Sequence, residues 1–193
     1  IKQVESVGSQ VGGEMYQNSL LAIGLSLFLM MIYVAFRFRM KLAVGAVVSL
    51  VHDVLFTVGA FAIFGFPCDL TVLAAVLALI GYSLNDTIVI FDRVRENFRK
   101  LRKADAIEIV DISLTETLRR TIMTVGTVLV VVVAMLWLGG PALRWFSVAM
   151  MIGLFAGTYS SIYIATSYAL MMGLDKEDFI EKPKSELVEE TFD

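Results

Sequence analysis

The sequence predicts an all-α polytopic membrane protein with five transmembrane helices. Three observations lead there. Hydrophobic residues make up 58% of the 193 residues and mean hydropathy is +0.77, too apolar for one soluble domain. The apolar residues gather into runs approaching the ~20 needed to cross about 30 Å of hydrocarbon. The charges are segregated: Lys and Arg collect in particular links between the runs. Net charge is only −3, so its distribution says more than its total.

Residues 1–16 are polar, with Gly8, Gly12 and Gly13 closely spaced. They read as the end of an extracytoplasmic domain and the entry to the membrane, with residues 1–7 a candidate last strand. The first residue is Ile1 and no signal-peptide pattern precedes the first span, so the chain is expected to be the C-terminal part of something longer. The first span covers about 17–36 and ends in Phe36-Arg37-Phe38-Arg39-Met40-Lys41. The second covers about 42–64. The link Gly65-Phe66-Pro67-Cys68-Asp69 has no Lys or Arg, and the third span follows over about 70–91. A basic segment with Arg93, Arg95, Arg99, Lys100, Arg102 and Lys103 leaves it.

In the next segment, about 104–112, Ile107 and Val110 begin a helical apolar spacing that continues to Leu114. This predicts either a short amphipathic helix on the inner membrane surface or a solvated connector. Ser113-Leu114-Thr115-Glu116 fits a capping box, so the fourth span is expected over about 114–138, roughly 37 Å long. Gly139-Gly140-Pro141 reads as a tight turn before a fifth span at about 143–172. The tail, 173–193, is charged, holds Pro183 and reads as flexible or disordered.

Orientation follows from the positive charges. The first and third links are basic, the second has no Lys or Arg and the fourth only Arg144. The positive-inside rule places the basic links in the cytoplasm. The N-terminal end of this chain is then outside and the C-terminus cytoplasmic.

Ionisable residues within spans mark function by default, since a carboxylate there costs about 2.5–3.5 kcal/mol on insertion scales. Asp86, beside Asn85 in the third span, lies about 9 Å along the helix from Asp92. Arg120 lies about 9 Å into the fourth span from its expected cap. The two helices run antiparallel, so Asp86 and Arg120 are at similar depth and could face each other. The alternatives are a carboxylate reaching to water and an arginine anchoring the cytoplasmic side. Desolvation and a nearby guanidinium act on such a carboxyl in opposite senses, and Asp86 rather than the arginine would be the group that titrates. Arg120, Thr124 and Thr127 share one helical face. Ser83 and Asp86 share a face of the third span, and Ser49, Asp53 and Thr57 form a stripe on the second with His52 beside it. Three such stripes could line a hydrated proton path, with Asn85, Asp53 and His52 as secondary candidates beside Ser83, Thr124 and Thr127. Alternatively the hydroxyls merely bond backbone carbonyls or join helices. His52 and Asp53 point about 100° apart on a helix and are not expected to pair by spacing alone. Gly153, Gly157 and Ser161 make a small-residue face for close helix packing.

Some chemistry is excluded. One cysteine, Cys68, and one histidine build neither a disulfide framework nor a His-based zinc site. No Walker-type loop or HExxH motif is present. The reading is therefore of a non-enzyme without metal or cofactor, whose work draws on something other than nucleotide hydrolysis; protons are the candidate coupling ion.

Three stretches and one dipeptide carry a family resemblance. Gly81-Tyr82-Ser83-Leu84-Asn85-Asp86-Thr87-Ile88-Val89-Ile90-Phe91-Asp92-Arg93-Val94-Arg95-Glu96-Asn97 resembles, nearly letter for letter, the signature of the SecF family of protein-export membrane subunits. Thr117-Leu118-Arg119-Arg120-Thr121 is similar to that family's T-L-x-R-T. Val7-Gly8-Ser9-Gln10-Val11-Gly12-Gly13-Glu14 is similar to its V-G-P-x-V-G-x-E, with Ser9 where proline is usual, and His-Asp also occurs at the His52-Asp53 place. The resemblance implies a six-helix half of an RND-like (resistance–nodulation–division) core, the first span and an extracytoplasmic domain lying before residue 1, with SecD supplying the matching half. It implies use of the proton motive force to help the SecYEG channel and SecA motor late in preprotein translocation across the bacterial inner membrane. An accessory membrane subunit such as YajC is a further implied partner. The expected surroundings are lipid bilayer and protein, with no nucleic acid. The resemblance also implicates Asp86 and Arg120 in proton coupling. Two other readings stay open: a non-conducting subunit that assembles SecD and accessory proteins at the channel, and an RND-type exporter of small molecules or lipids.

Overall fold

A computed structural model describes residues 9–101, 103–175 and 178–179. The candidate strand at 1–7 and the tail beyond 179 lie outside the described residues.

Helix α1 (Ser9–Arg37) starts eight residues before the expected span, so the Gly12-Gly13 region is helical. Two residues, Phe38 and Arg39, separate it from α2 (Met40–Phe64). Gly65 ends α2 with φ 63°, a conformation that glycine adopts without the strain a Cβ brings. Asp69 then caps α3 (Leu70–Lys100), accepting from the amides of Thr71 at 2.9 Å and Val72 at 3.1 Å. After a short basic link comes α4 (Ala106–Leu138). Gly140, at φ 70°, turns the chain into α5 (Gly140–Tyr159), with Pro141 in the first turn where no amide donor is needed. A π-helical turn (Ser160–Ile164) joins α5 to α6 (Ala165–Met171), so the last crossing is one helix with a π-bulge inside it.

Among the described residues, five stretches are long and apolar enough to cross a membrane: Gln17–Arg37, Met40–Phe64, Leu70–Lys100, Ala106–Leu138 and Gly140–Met171. The central element is α3, which packs on α5, α4, α2 and α1. Two apolar clusters surround it. One, toward the basic links, includes Phe38, Leu42, Phe91, Phe98 and Ile109. The other, toward the opposite end, includes Phe61, Leu79, Val132 and Met150. Large apolar side chains also cover the outward faces, Leu21, Phe36, Ile63 and Trp137 among them, as a bilayer rather than water requires.

The expected break before Ser113 does not occur. Residues 106–138 form one continuous helix about 50 Å long. Ser113 is not an N-cap, since its hydroxyl donates to the Ile109 carbonyl at 2.6 Å, one turn back. Glu116 does not reach back to a cap either; it accepts from Arg93 at 2.6 Å and Asn97 at 2.8 Å, both on α3. Ile109 and Val110 are buried while Ile107 is exposed. Tertiary packing on one face therefore carries the helix straight through the polar S-x-x-E signal.

Candidate functional site

Two buried carboxylates, Asp53 packed against α3 and Asp86 on it, sit among different neighbours. Asp53, on α2, is 1% exposed. It accepts from the Ser83 hydroxyl at 2.6 Å, and His52 Nδ1 lies 3.3 Å from its other oxygen. Ser160, in the π turn, is a further hydroxyl neighbour. The Thr87 hydroxyl lies 3.0 Å from that of Ser161, which lies 3.3 Å from the Ser83 carbonyl. The result is a hydroxyl-rich knot joining α2, α3 and the π turn. Its compactness depends on small residues: a Cβ at Gly157 would lie 3.3–3.4 Å from Ser83 and Asp53, and one at Gly153 would meet the Leu79 side chain at 2.2 Å. The face of Gly153, Gly157 and Ser161 thus packs on α3, and Ser161 also hydrogen-bonds there.

Asp86, on α3, is 4% exposed and faces α4. Its polar neighbours are Arg120 and Thr124, with Tyr82 one turn before it. Among the described residues no ion pair within 4.0 Å joins Asp86 to Arg120. The two charges act on each other at longer range, and Thr124 is the hydroxyl neighbour on α4. The Thr124 hydroxyl lies 3.0 Å from the Thr121 carbonyl and 3.1 Å from that of Arg120. The Tyr82 hydroxyl is buried without a hydrogen-bond partner among the described residues. Arg120 itself is on the exposed side of α4.

Several expectations change. Ser83 belongs with Asp53, not with Asp86. The three-residue offset between Ser83 and Asp86 turns them about 60° apart, enough on a central helix to reach different neighbours. His52 and Asp53 do touch, because the flexible imidazole folds back toward the carboxylate. Asn85 is exposed and joins neither cluster, as is Thr127, whose hydroxyl bonds the Thr124 carbonyl at 2.8 Å. Ser49 and Thr57 bond the carbonyls of Ala46 and Asp53 rather than lining a path. Tyr82, Thr87 and Ser160 were missed; an aromatic and hydroxyls within apolar runs look like core and backbone-bonded filler in a sequence.

The cytoplasm-expected ends of the helices are tied more firmly. Arg37 grips Asp92 through two contacts of 2.7 and 3.0 Å, joining α1 to α3. Arg93 bonds both Glu96 and Glu116 at 2.6 Å, and Asn97 bonds Ser113 at 3.0 Å, joining α3 to α4. These are the polar residues of the long signature stretch, and here they pin helices together. Asp86 lies about 16 Å along α3 from Asn97, so α3 and α4 are fastened at one end and meet through a looser polar contact further in.

Comparison with known proteins supplies the context. The family model described as protein export membrane protein SecD/SecF, C-terminal, matches residues 1–175. The chain is 50% identical over 190 residues to protein translocase subunit SecF of Pseudomonas aeruginosa, covering 98% of this chain and 62% of that protein. It is 48% identical over 177 residues to the SecF of Vibrio alginolyticus, covering 92% of this chain and 56% of that one. Among solved structures, SecDF of Thermus thermophilus, described as a translocon-associated membrane protein, aligns with TM-score 0.82 at 40% identity, over 86% of this chain and 23% of that one. SecDF in a super-membrane-facing form aligns with TM-score 0.78 at 38% identity, over 87% and 22%. The chain spans a little over half the length of the curated relatives it matches.

Proposed function

This chain belongs to the SecD/SecF family of protein-export membrane proteins and is part of a multi-pass membrane protein; from that premise we propose that it is the membrane core of a SecF-type translocase subunit working with SecD. In this reading the pair draws on the proton motive force to promote late preprotein translocation across the bacterial cytoplasmic membrane, beside the SecYEG channel and SecA motor and with an accessory subunit such as YajC. It catalyses no covalent chemistry. Protons are its coupling ion and it needs no other cofactor. The observation that carries the reading is Asp86: a carboxyl 4% exposed within an apolar helix, with a guanidinium and a hydroxyl on the facing helix as its polar neighbours.

Energy is available without nucleotide. Moving one charge through 100 mV supplies about 2.3 kcal/mol. Asp86 takes the proton from one side and releases it to the other. Arg120 favours the charged state and senses its loss. Thr124 supplies the carboxyl with a hydroxyl neighbour on the facing helix. With Asp86 charged, attraction draws α3 and α4 together at its level. With Asp86 neutral they relax apart there, about the pivot formed by Arg93, Glu116, Asn97 and Ser113. Arg120 is on the exposed side of α4; in this reading the SecD half covers it, so SecD contact and proton binding are felt by one helix.

Preprotein release in membrane vesicles under an imposed proton gradient tests this. Asp86→Asn abolishes the gradient-dependent step while SecD still co-purifies. Normal gradient-dependent release from an assembled Asp86→Asn complex would leave an assembly scaffold as the function.

A further inference from the structure

At the end of the bundle that carries the basic links, a cleft of about 260 Å³ opens between the α1–α2 corner and the last turns of α3. Its volume is several times one water's share of about 30 Å³. Arg37, Arg39, Arg95 and Arg99 line it, with Asp178 at one side. The described acids around it already have partners: Asp92 holds Arg37, Asp178 holds Lys41 at 2.7 Å, and Glu96 holds Arg93 and Lys100. Arg39 adds to the field on Asp178 at longer range. Arg95 and Arg99 make no ion pair among the described residues. They lie one turn apart on α3, on a face shared by that spacing.

A second feature meets the first. Helix α2 starts at this corner, and its N-cap residue, Arg39, gives its first turn no side-chain cap. The first free amides there belong to Met40 and Lys41, since the amides of Leu42 and Ala43 already donate to the Arg39 carbonyl. An uncapped helix N-terminus carries donors and a positive dipole end toward an anion. Beside it Phe36 is 89% exposed, an apolar ring at the level where the apolar span ends.

We propose that this cleft binds a phosphate group, supplied in the membrane by the headgroup of an anionic phospholipid in the leaflet that the basic links face. Arg95 and Arg99 fork onto the phosphate oxygens from α3 and Arg39 closes from the corner, in the manner suited to planar guanidinium donors. The first-turn amides of α2 complete the cradle, and Phe36 lies among the acyl chains. The lipid would then bridge α1, α2 and α3 across the corner that Arg37 and Asp92 tie directly. The proposal rests on the orientation argued above, which places this face on the cytoplasmic side.

The test uses the full-length protein in nanodiscs of phosphatidylcholine with and without phosphatidylglycerol, followed by extraction and native mass spectrometry of retained lipid. Wild type retains phosphatidylglycerol in preference to phosphatidylcholine. Arg95→Gln with Arg99→Gln lowers that retention about thirtyfold, as expected when two basic groups near a phosphate, each worth about 1 kcal/mol, are lost, and Arg95→Lys loses less. The charge-matched pair Lys103→Gln with Arg119→Gln, away from the cleft, retains lipid as wild type does. Equal retention by the Arg95/Arg99 pair, or equal loss in the control pair, overturns the site. Inorganic phosphate in the extraction buffer separates the sources: retention that survives it identifies the headgroup, whereas complete displacement marks a free-anion site and overturns the lipid assignment. Lipid retention does not depend on which way the protein is inserted, so an empty cleft and a wrong orientation give different results.

Discussion

Asp53 and Asp86 are both buried, yet their partners differ in kind. Asp53 has a direct hydroxyl donor at 2.6 Å and a histidine at 3.3 Å, so its contacts are largely those of a satisfied structural knot. Asp86 has its charged neighbour at a distance and an unpartnered tyrosine hydroxyl nearby. Removing the Ser83 hydroxyl leaves a buried carboxyl short of a donor, which costs about 1–3 kcal/mol. Ser83→Ala is therefore expected to lower the thermal midpoint of the purified protein while gradient-dependent export per assembled complex stays near wild type. Asp86→Asn is expected to do the opposite, sparing the midpoint and losing the gradient dependence. The charged members of both clusters stand out in the sequence, because Asp53, His52, Asp86 and Arg120 interrupt apolar runs. Which cluster Ser83 joins does not stand out: the choice depends on what packs on each side of α3, and periodicity on one helix carries no information about its neighbours. Tyr82 is hidden for a similar reason, being indistinguishable from a core aromatic until its hydroxyl is located.

Between helices, approach distance is set by where a side chain is missing. A Cβ at Gly45 of α2 would lie 2.4 Å from the Ala165 carbonyl oxygen, a backbone atom that cannot swing aside. A Cβ at Gly24 of α1 meets nothing within 4 Å. Gly45→Ala should therefore cost about 1–3 kcal/mol through overpacking of α2 on α6. Gly24→Ala should be neutral or gain up to about 1 kcal/mol from helix propensity. Thermal unfolding of the two variants checks the contrast. The small-residue stripe on the last span was visible as a four-residue repeat, whereas Gly45, a lone glycine, gave no such signal. The π turn was equally silent, since Ser160–Ile164 contains no proline or glycine to mark it. The segment after α6 docks through Asp178, whose carboxyl burial pushes upward. The Lys41 ammonium and the Asp175 amide outweigh this and hold it below the usual carboxylate range. A depressed carboxyl stabilises above its unfolded value, about 3.9, and loses that contribution as pH falls through the folded one. Protection of 173–175 from hydrogen exchange (corrected for the intrinsic rate) should thus hold from pH 7 to 5 and fall only below about pH 4, while Lys41→Met should reduce it at neutral pH.

At the scale of the whole molecule, segregated charge and five apolar crossings define an asymmetric bundle. Arginine-rich ties gather at one end and the Asp69-capped turn at the other. The number and order of crossings were readable because each needs about 20 apolar residues and the links hold Gly, Pro or basic clusters. The start of α4 was not, because a capping signal competes with buried Ile109 and Val110 and loses. Cys68 is exposed in the turn opposite the basic end. In a full-length background where it is the single cysteine, a membrane-impermeant maleimide should label it from outside intact cells, and labelling only after permeabilisation would reverse the orientation. The central claim is that Asp86 carries a proton across the fold. Its most direct test is proton flux into proteoliposomes containing the assembled SecD–SecF complex, driven by an imposed potential and read with an internal pH dye. The account predicts flux in wild type that Asp86→Asn reduces to the level of protein-free vesicles, with SecD still bound. Equal flux from wild type and an assembled Asp86→Asn complex would contradict it.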